Sequence, residues 1–294
     1  MSNQFDASGS WTILSPIEQS IKRKIEAVGV PLKEWDVNIN YGIKTGFNEA
    51  FIIDGQKREE LITADPKSAE IIRPILRGRD IKRYSYEFSD LWLINTHNGI
   101  AEQDIPPVNI NEYPAIKRHL DQYTTALEKR LDKGKTAYHL RSCAYVEDFS
   151  KPKIAWADLA RSGNAFVLDT QQSVVLNTTY ILTSTVLNAQ QLMCLLAILN
   201  SRITLFYMNT LSSKLDETGW RWFKQFVELL PIPSLVGEQQ FCLANLAGEV
   251  MAAKANKEDS LQKELLIDKY IFDLLDFSFH ERQWIMNGAT NDHL

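Results

Sequence analysis

From Asn40 to Tyr84 the sequence sets glycine turns and a cluster of guanidinium groups beside short apolar strands. The first part reads Asn40-Tyr-Gly-Ile-Lys-Thr-Gly-Phe-Asn-Glu-Ala-Phe-Ile-Ile-Asp54; after a helical spacer comes Ile72-Arg-Pro-Ile-Leu-Arg-Gly-Arg-Asp-Ile-Lys-Arg-Tyr84. Gly42 and Gly46 let the backbone turn sharply and approach a ligand. Lys44 and Thr45 between them offer an ammonium, a hydroxyl and free amides to phosphate oxygens. Asn48 can present a bidentate amide to an adenine edge. The plainer alternative is a tight connection between two strands. In the second part, Gly78 suits the end of a helix, and Asp80 can orient one neighbouring guanidinium by a bidentate pair. The remaining arginines are then free for a polyanion, with an internal salt-bridge corner of Asp80 and Arg79 as the rival.

Charge does not exclude such a ligand. The net value is −5, but residues 1–233 balance, and residues 234–294 carry the whole deficit. Lys67–Arg83 holds six basic residues against Glu70 and Asp80. Local charge binds phosphate, and a net value can hide it. A second basic segment, Lys133, Lys135, His139 and Arg141, interleaves with Tyr138 and Tyr145 and can enter a groove. Its plain alternative is a surface loop. Gly219-Trp-Arg-Trp-Phe-Lys-Gln225 places two indoles around Arg221, either to stack on bases or, more plainly, as core with a cation–π contact.

The remaining pattern predicts an α+β chain. Ser15, Pro16 and Glu18 make a capping box for a first helix ending at Gly29. Alternation predicts a strand over Trp35–Ile43, and further strands fall at Ala50–Ile53, Leu91–Asn95, Lys153–Ala157, Ala165–Leu168 and Val174–Leu182. Helices are expected at Lys57–Thr63, at Pro66–Leu76 under an Asp65 cap, as one amphipathic stretch over Glu112–Leu131, and from Asn188 to Phe206. After Pro231 and Pro233 the composition turns helical, with a last capping box at Ser278 and Glu281. This gives a lead-in over 1–14, a mixed β-sheet body with flanking helices over 15–233, and a helical tail over 234–294.

Several machines are absent from the sequence. There is no GxxxxGK[ST] loop, GxGxxG, HExxH or GxSxG. No Glu-x-Lys triplet exists for a PD-(D/E)xK nuclease; Asp65-Pro-Lys67 and Asp80-Ile-Lys82 fit a helix cap and a turn acid better. The histidines are scattered, and Cys143, Cys194 and Cys242 lie far apart, so neither a metal set nor a disulfide framework follows. No catalytic residue can be named. No apolar run is long enough for a bilayer and no secretory signal is visible, so the expected place is the cytoplasm, without a membrane.

Taken together, six segments in order over about residues 13–235 resemble the TaqI-like C-terminal specificity domain of adenine-N6 DNA methyltransferases and the fused type IIG restriction-and-modification enzymes. They are Gly42–Phe51, Ile75–Ile81, Leu91–Asn95, Lys151–Ile154, Leu196–Ser201 and Glu228–Pro233. The tail resembles the spacer helices of type I specificity subunits. The resemblance implies a target-recognition domain for double-stranded DNA, with phosphate contacts from Lys44, Thr45, Arg77, Arg79, Lys82 and Arg83. Base-reading candidates are Asn48, Lys135, His139, Arg141 and Arg221. It implies that methyl transfer, with S-adenosylmethionine as cofactor, belongs to a partner methyltransferase domain or subunit carrying an Asn-Pro-Pro-Tyr motif, which does not occur here. No cofactor or metal is expected in this chain, and Phe5–Trp11 reads like chain between domains. The alternative is a protein-interaction module docking a partner through Leu246, Val250, Leu261 and Leu265 of the acidic tail.

Overall fold

A computed structural model describes residues 14–161, 163–211 and 219–290. Its centre is a four-stranded antiparallel sheet in the order Phe166–Asp169, Lys153–Ala157, Thr179–Thr183, Asn38–Tyr41. Side chains alternate across a strand, and here both faces are covered. Ile39, Ile154, Trp156, Phe166 and Leu182 enter one core. Ala155, Val167 and Ile181 enter the other. Burial on both faces is why Lys153–Ala157 is inaccessible along its whole length. Its lysine is tolerated because Lys153 Nζ donates to Asp169 Oδ2 at 2.6 Å and to the Phe149 carbonyl at 2.7 Å. A buried charge needs such pairing.

The second core lies under an outer sheet of Val174–Val175, Ile72–Leu76, Leu91–Ile94 and Ile52–Asp54. Segment 174–183 stitches the two sheets. It is not the single strand its composition suggests: Val174–Val175 runs parallel to Ile75–Leu76, a turn follows at Leu176–Thr179, and Thr179–Thr183 joins the central sheet. Pro66–Leu76 also departs from expectation. Asp65 does cap, accepting from the Lys67 amide at 3.2 Å, but only a 3₁₀ turn over Pro66–Glu70 follows. Ile72–Leu76 is a strand, because β-branched residues favour it and Pro74 cannot occupy a helix interior. Gly78 therefore follows a strand, not a helix. Asn48–Phe51 is a helical turn, with only Ile52–Asp54 extended. The Glu112–Leu131 stretch breaks into Pro114–Asp121 and Thr124–Lys129, and Leu131 is fully exposed.

Helices cover the first core. Both capping boxes at its entry form, Ser15 with Glu18 and Asn188 with Gln191. The long apolar helix stops at Asn200 for a visible reason. Asn200 Oδ1 accepts from the Phe166 amide at 3.0 Å and its Nδ2 donates to the Phe166 carbonyl at 2.9 Å, tying the helix end to the sheet edge. A second helix, Arg202–Leu211, then starts. The tail helices Gly237–Ala255, Leu261–Leu274 and Phe279–Thr290 complete this layer. Leu243, Ala247, Val250 and Ile271 share one core with Trp156 and Leu196. The apolar stripe expected to dock a partner is thus largely spent inside the chain. Val250 is buried and Leu246 packs on the core, while Leu261 alone of that set is half exposed. The lead-in lies, apart from Leu14, outside the described residues. Among those residues no single helix is long and apolar enough to cross a bilayer.

Candidate nucleic-acid interface

The Gly42–Asn48 loop leaves the edge strand of the central sheet and crosses to the outer one. Ile43 donates its amide to the Val175 carbonyl at 2.8 Å, and Gly42 to Thr179 at 2.9 Å. A Cβ on Gly42 would come 2.0 Å from the Leu176 carbonyl oxygen. This glycine therefore makes room for the chain's own backbone. Gly46 is needed for its φ of +69°. Thr45 is buried; its hydroxyl donates to Asn48 Oδ1 at 2.5 Å and accepts from the Phe47 amide at 3.3 Å. Thr45 is thus a turn-forming residue, not the phosphate ligand expected. Lys44 and Asn48 face solvent, and no ion pair engages Lys44 among the described residues.

Arg130, which no sequence signal marked, joins this loop to the basic one. It is 6% exposed and donates to the carbonyls of Thr45, Ala137 (2.8 Å) and His139 (2.9 Å). Its guanidinium lies 4.5 Å from the centre of the Phe51 ring. His139 is corrected too. It is buried, with Nε2 2.9 Å from the Val108 carbonyl and Nδ1 2.9 Å from Thr136 Oγ1, so both nitrogens are engaged. It latches the loop and cannot meet a base. Lys135 is exposed, and among the described residues Arg141 is held by an exposed pair with Asp132 at 3.2 Å.

At the arginine corner Asp80 chooses Arg77, not Arg79. Its carboxylate accepts from the Arg77 amide at 2.9 Å, from Nε at 2.9 Å and Nη2 at 2.7 Å, and from Ser89 Oγ at 2.8 Å. Burial pushes the Asp80 carboxyl up, but these bonds from Arg77 and Ser89 outweigh it and hold it below the usual range. Arg77 is therefore a brace rather than a clamp. Arg83 lies 3.0 Å from Glu264 of the tail and is likewise committed internally. Arg79 and Lys82 remain exposed, without an ion pair among the described residues. The corner abuts the central sheet at Gly78, where a Cβ would come 3.0 Å from the Ala157 Cβ. Arg221 pairs with Leu159 in a short ladder, between the buried Trp220 and Trp222. The indoles are core, and alternation turns Arg221 to their opposite side.

What the fold brings together is a run of three adjoining depressions along the edge strand. Lys44 and Asn48 line the first with Asn177 and Asp132. Lys44, Arg141, Tyr145 and Tyr41 line the second. Tyr41, Tyr180, Phe223, Lys224 and Gln225 line the third, with the carboxylates Asp158 and Glu228. Tyr41 and Tyr180 face each other in register, their ring centres 4.7 Å apart. Burial, then the nearby Asp158 carboxylate, raises the Tyr41 phenol. Tyr41, Asp158, Tyr180, Phe223, Lys224 and Gln225 carried no signal in sequence as a set, because only strand pairing assembles them. The groove combines exposed cations, aromatic faces and amide groups. Among the described residues no cluster of metal ligands occurs.

The model of the TaqI-like C-terminal specificity domain matches residues 73–232, and the chain belongs to that family. Two solved structures share the fold. The type IIL restriction-modification enzyme MmeI, determined in complex with DNA, matches with a TM-score of 0.62 at 12% identity, over 89% of this chain and 36% of that one. The type IIG restriction endonuclease BpuSI matches with a TM-score of 0.53 at 15% identity, over 91% and 33%. The chain thus spans about a third of each. No curated protein matches it in sequence.

Proposed function

We propose that this chain recognises a specific sequence in duplex DNA as the target-recognition part of a restriction-modification enzyme. The observation that carries the reading is the groove along the edge strand in a member of a specificity-domain family. Lys44, Arg79, Lys82, Arg141 and Lys224 supply phosphate contacts that fix register, and the polar groups between them read base edges. Thr45, Arg77, Arg83 and His139 hold the frame. Methyl transfer to adenine N6, with S-adenosylmethionine, belongs to a methyltransferase domain or subunit outside these residues. That reaction takes the adenine out of the stack, and this domain holds the duplex for that step. No bond-making role is assigned here.

Titration of labelled random duplex across a salt series tests the phosphate contacts. Each releases counterions, so log affinity falls linearly with log salt, with a slope of several units. Selection from a randomised duplex library tests the readout. Affinity flat in salt, or no enriched sequence, overturns the reading.

A further inference from the structure

We propose that Asp158 is a base-reading residue that accepts a hydrogen bond from an exocyclic amino group, cytosine N4 or adenine N6, presented in a groove of bound DNA. This rests on the DNA-recognition reading above and names one contact within it. Asp158 follows the Lys153–Ala157 strand and floors the third depression. Its backbone is fixed on both sides: its amide donates to the Thr178 carbonyl at 3.0 Å, and its carbonyl accepts from the Trp222 amide at 2.8 Å. The side chain therefore cannot retreat by moving the chain. Its wall is also rigid. Tyr180 packs against Tyr41 on one side and stacks on Trp156 on the other, with ring centres 5.6 Å apart, and Trp156 Nε1 donates to the Trp222 carbonyl at 2.8 Å.

The carboxylate lacks the partner that the chain's more buried carboxylates have. Asp80 pairs with Arg77, Asp148 with Lys151, Asp169 with Lys153 and Asp268 with Arg202. Asp158 has no ion pair among the described residues. Burial raises its carboxyl above the ordinary range, against the smaller effect of neighbouring amides and the Tyr41 hydroxyl. A half-desolvated carboxylate on a DNA-facing surface repels phosphates, and like charges brought together cost affinity. Only a donor returns that cost. In the grooves of DNA the donors are the amino groups, and a carboxylate is the natural acceptor for cytosine N4. The flanking cations Lys224 and Arg141 then carry the strands on either side.

The test compares the intact chain with Asp158→Ala, which removes the acceptor, in selection from randomised duplexes. The wild type is expected to enrich an amino-bearing base at one position. Asp158→Ala loses about ten- to hundredfold of discrimination at that position and leaves the preference at every other position as it was. A double-mutant cycle keeps the test independent of any folding defect. In the wild type, replacing adenine by purine, or cytosine by pyrimidinone, removes the amino group and reproduces the loss; in Asp158→Ala the same replacement costs nothing further. If the wild type selects a sequence and Asp158→Ala selects the same one at every position, or if the two losses add, Asp158 reads no amine while DNA recognition stands. If the wild type selects no sequence, both fall together.

Discussion

At the scale of single residues, the chain divides its cations by what holds them. Arg77 and Arg79 are two positions apart and have opposite fates. Arg77 satisfies the buried Asp80, whereas Arg79 is exposed. Arg77→Ala is expected to lower stability by about 2 kcal/mol or more, since it strips charged hydrogen bonds from a buried carboxylate. Arg79→Ala leaves the denaturation midpoint unchanged, weakens binding to all duplexes alike, and reduces the salt slope by about one. Urea melts and salt titrations of both variants separate brace from clamp; equal melts would show that Asp80 does not depend on Arg77. Glu281 makes a sharper case. It accepts from Ser20 Oγ at 2.8 Å, Lys24 Nζ at 2.8 Å and the Ser278 amide at 2.7 Å, tying the last helix to the first. Burial raises its carboxyl, but Lys24, Ser278 and Ser20 outweigh burial and bring it to about 2. A depressed folded value means stability that is present above the unfolded pKa of about 4.3 and lost as pH falls through about 2; at neutral pH it amounts to about 3 kcal/mol. Glu281→Gln should therefore lower the wild-type midpoint at pH 7, and the gap should narrow steadily below about pH 4. A gap independent of pH would show that the carboxylate's charge contributes nothing.

At the scale of elements, the two loops that form the groove are set by one side chain that belongs to neither. Arg130 takes backbone carbonyls from both, at Thr45 and at Ala137 and His139. Arg130→Met removes the guanidinium from the Phe51 ring and orphans these acceptors, each at a cost of about 1–3 kcal/mol. Amide exchange over residues 42–48 and 133–141 should accelerate together, with the central sheet unaffected. Acceleration in only one loop would show that they are not coupled. This residue also shows what sequence can and cannot disclose. Caps were legible because Ser15 with Glu18, Asn188 with Gln191 and Asp65 act within a few residues, and the structure places all three as expected. The α+β class was legible from alternation and from the proline-free tail. Exposed cations such as Lys44 and Arg79 were legible as types. Their partners were not. Arg130 reaches across 85 residues to Thr45, Arg83 meets a tail glutamate, and Tyr41 meets Tyr180 only through strand register. A local pattern also cannot tell one strand from two that turn between sheets, as Val174–Thr183 does. It mistakes a capped turn and a strand for a helix when both follow Asp65.

At the scale of the whole molecule, the acidic tail decides whether recognition and spacing are separable. A spacer would pack on itself and leave the body's core intact. Here Gly237–Ala255 lies along Ala189–Leu199, and Leu243, Ala247, Val250 and Ile271 complete the core that Trp156, Phe166 and Leu196 begin. The Arg83–Glu264 and Lys24–Glu281 pairs cross the same boundary. Burial of an apolar side chain is worth about 1.5–3 kcal/mol, so several together exceed the whole stability of an ordinary domain, about 5–15 kcal/mol. A chain ending after Pro233 should therefore fail to fold as a monomer: light scattering should find aggregates and the thermal transition should lose its cooperativity. Substitutions confined to Leu261 and Leu266, two of the tail's exposed apolar residues, should leave the oligomeric state, melt and DNA binding as they are. A truncated chain that stays monomeric, melts sharply and still selects its sequence would make the tail a detachable spacer. A full chain that ignores DNA while Leu261 and Leu266 prove essential for capturing a protein partner would favour the docking role instead. The shared core predicts neither result, because Tyr41 and Tyr180 of the groove stand on the same face of the central sheet, with Trp156 and Leu182, that the tail helps to bury.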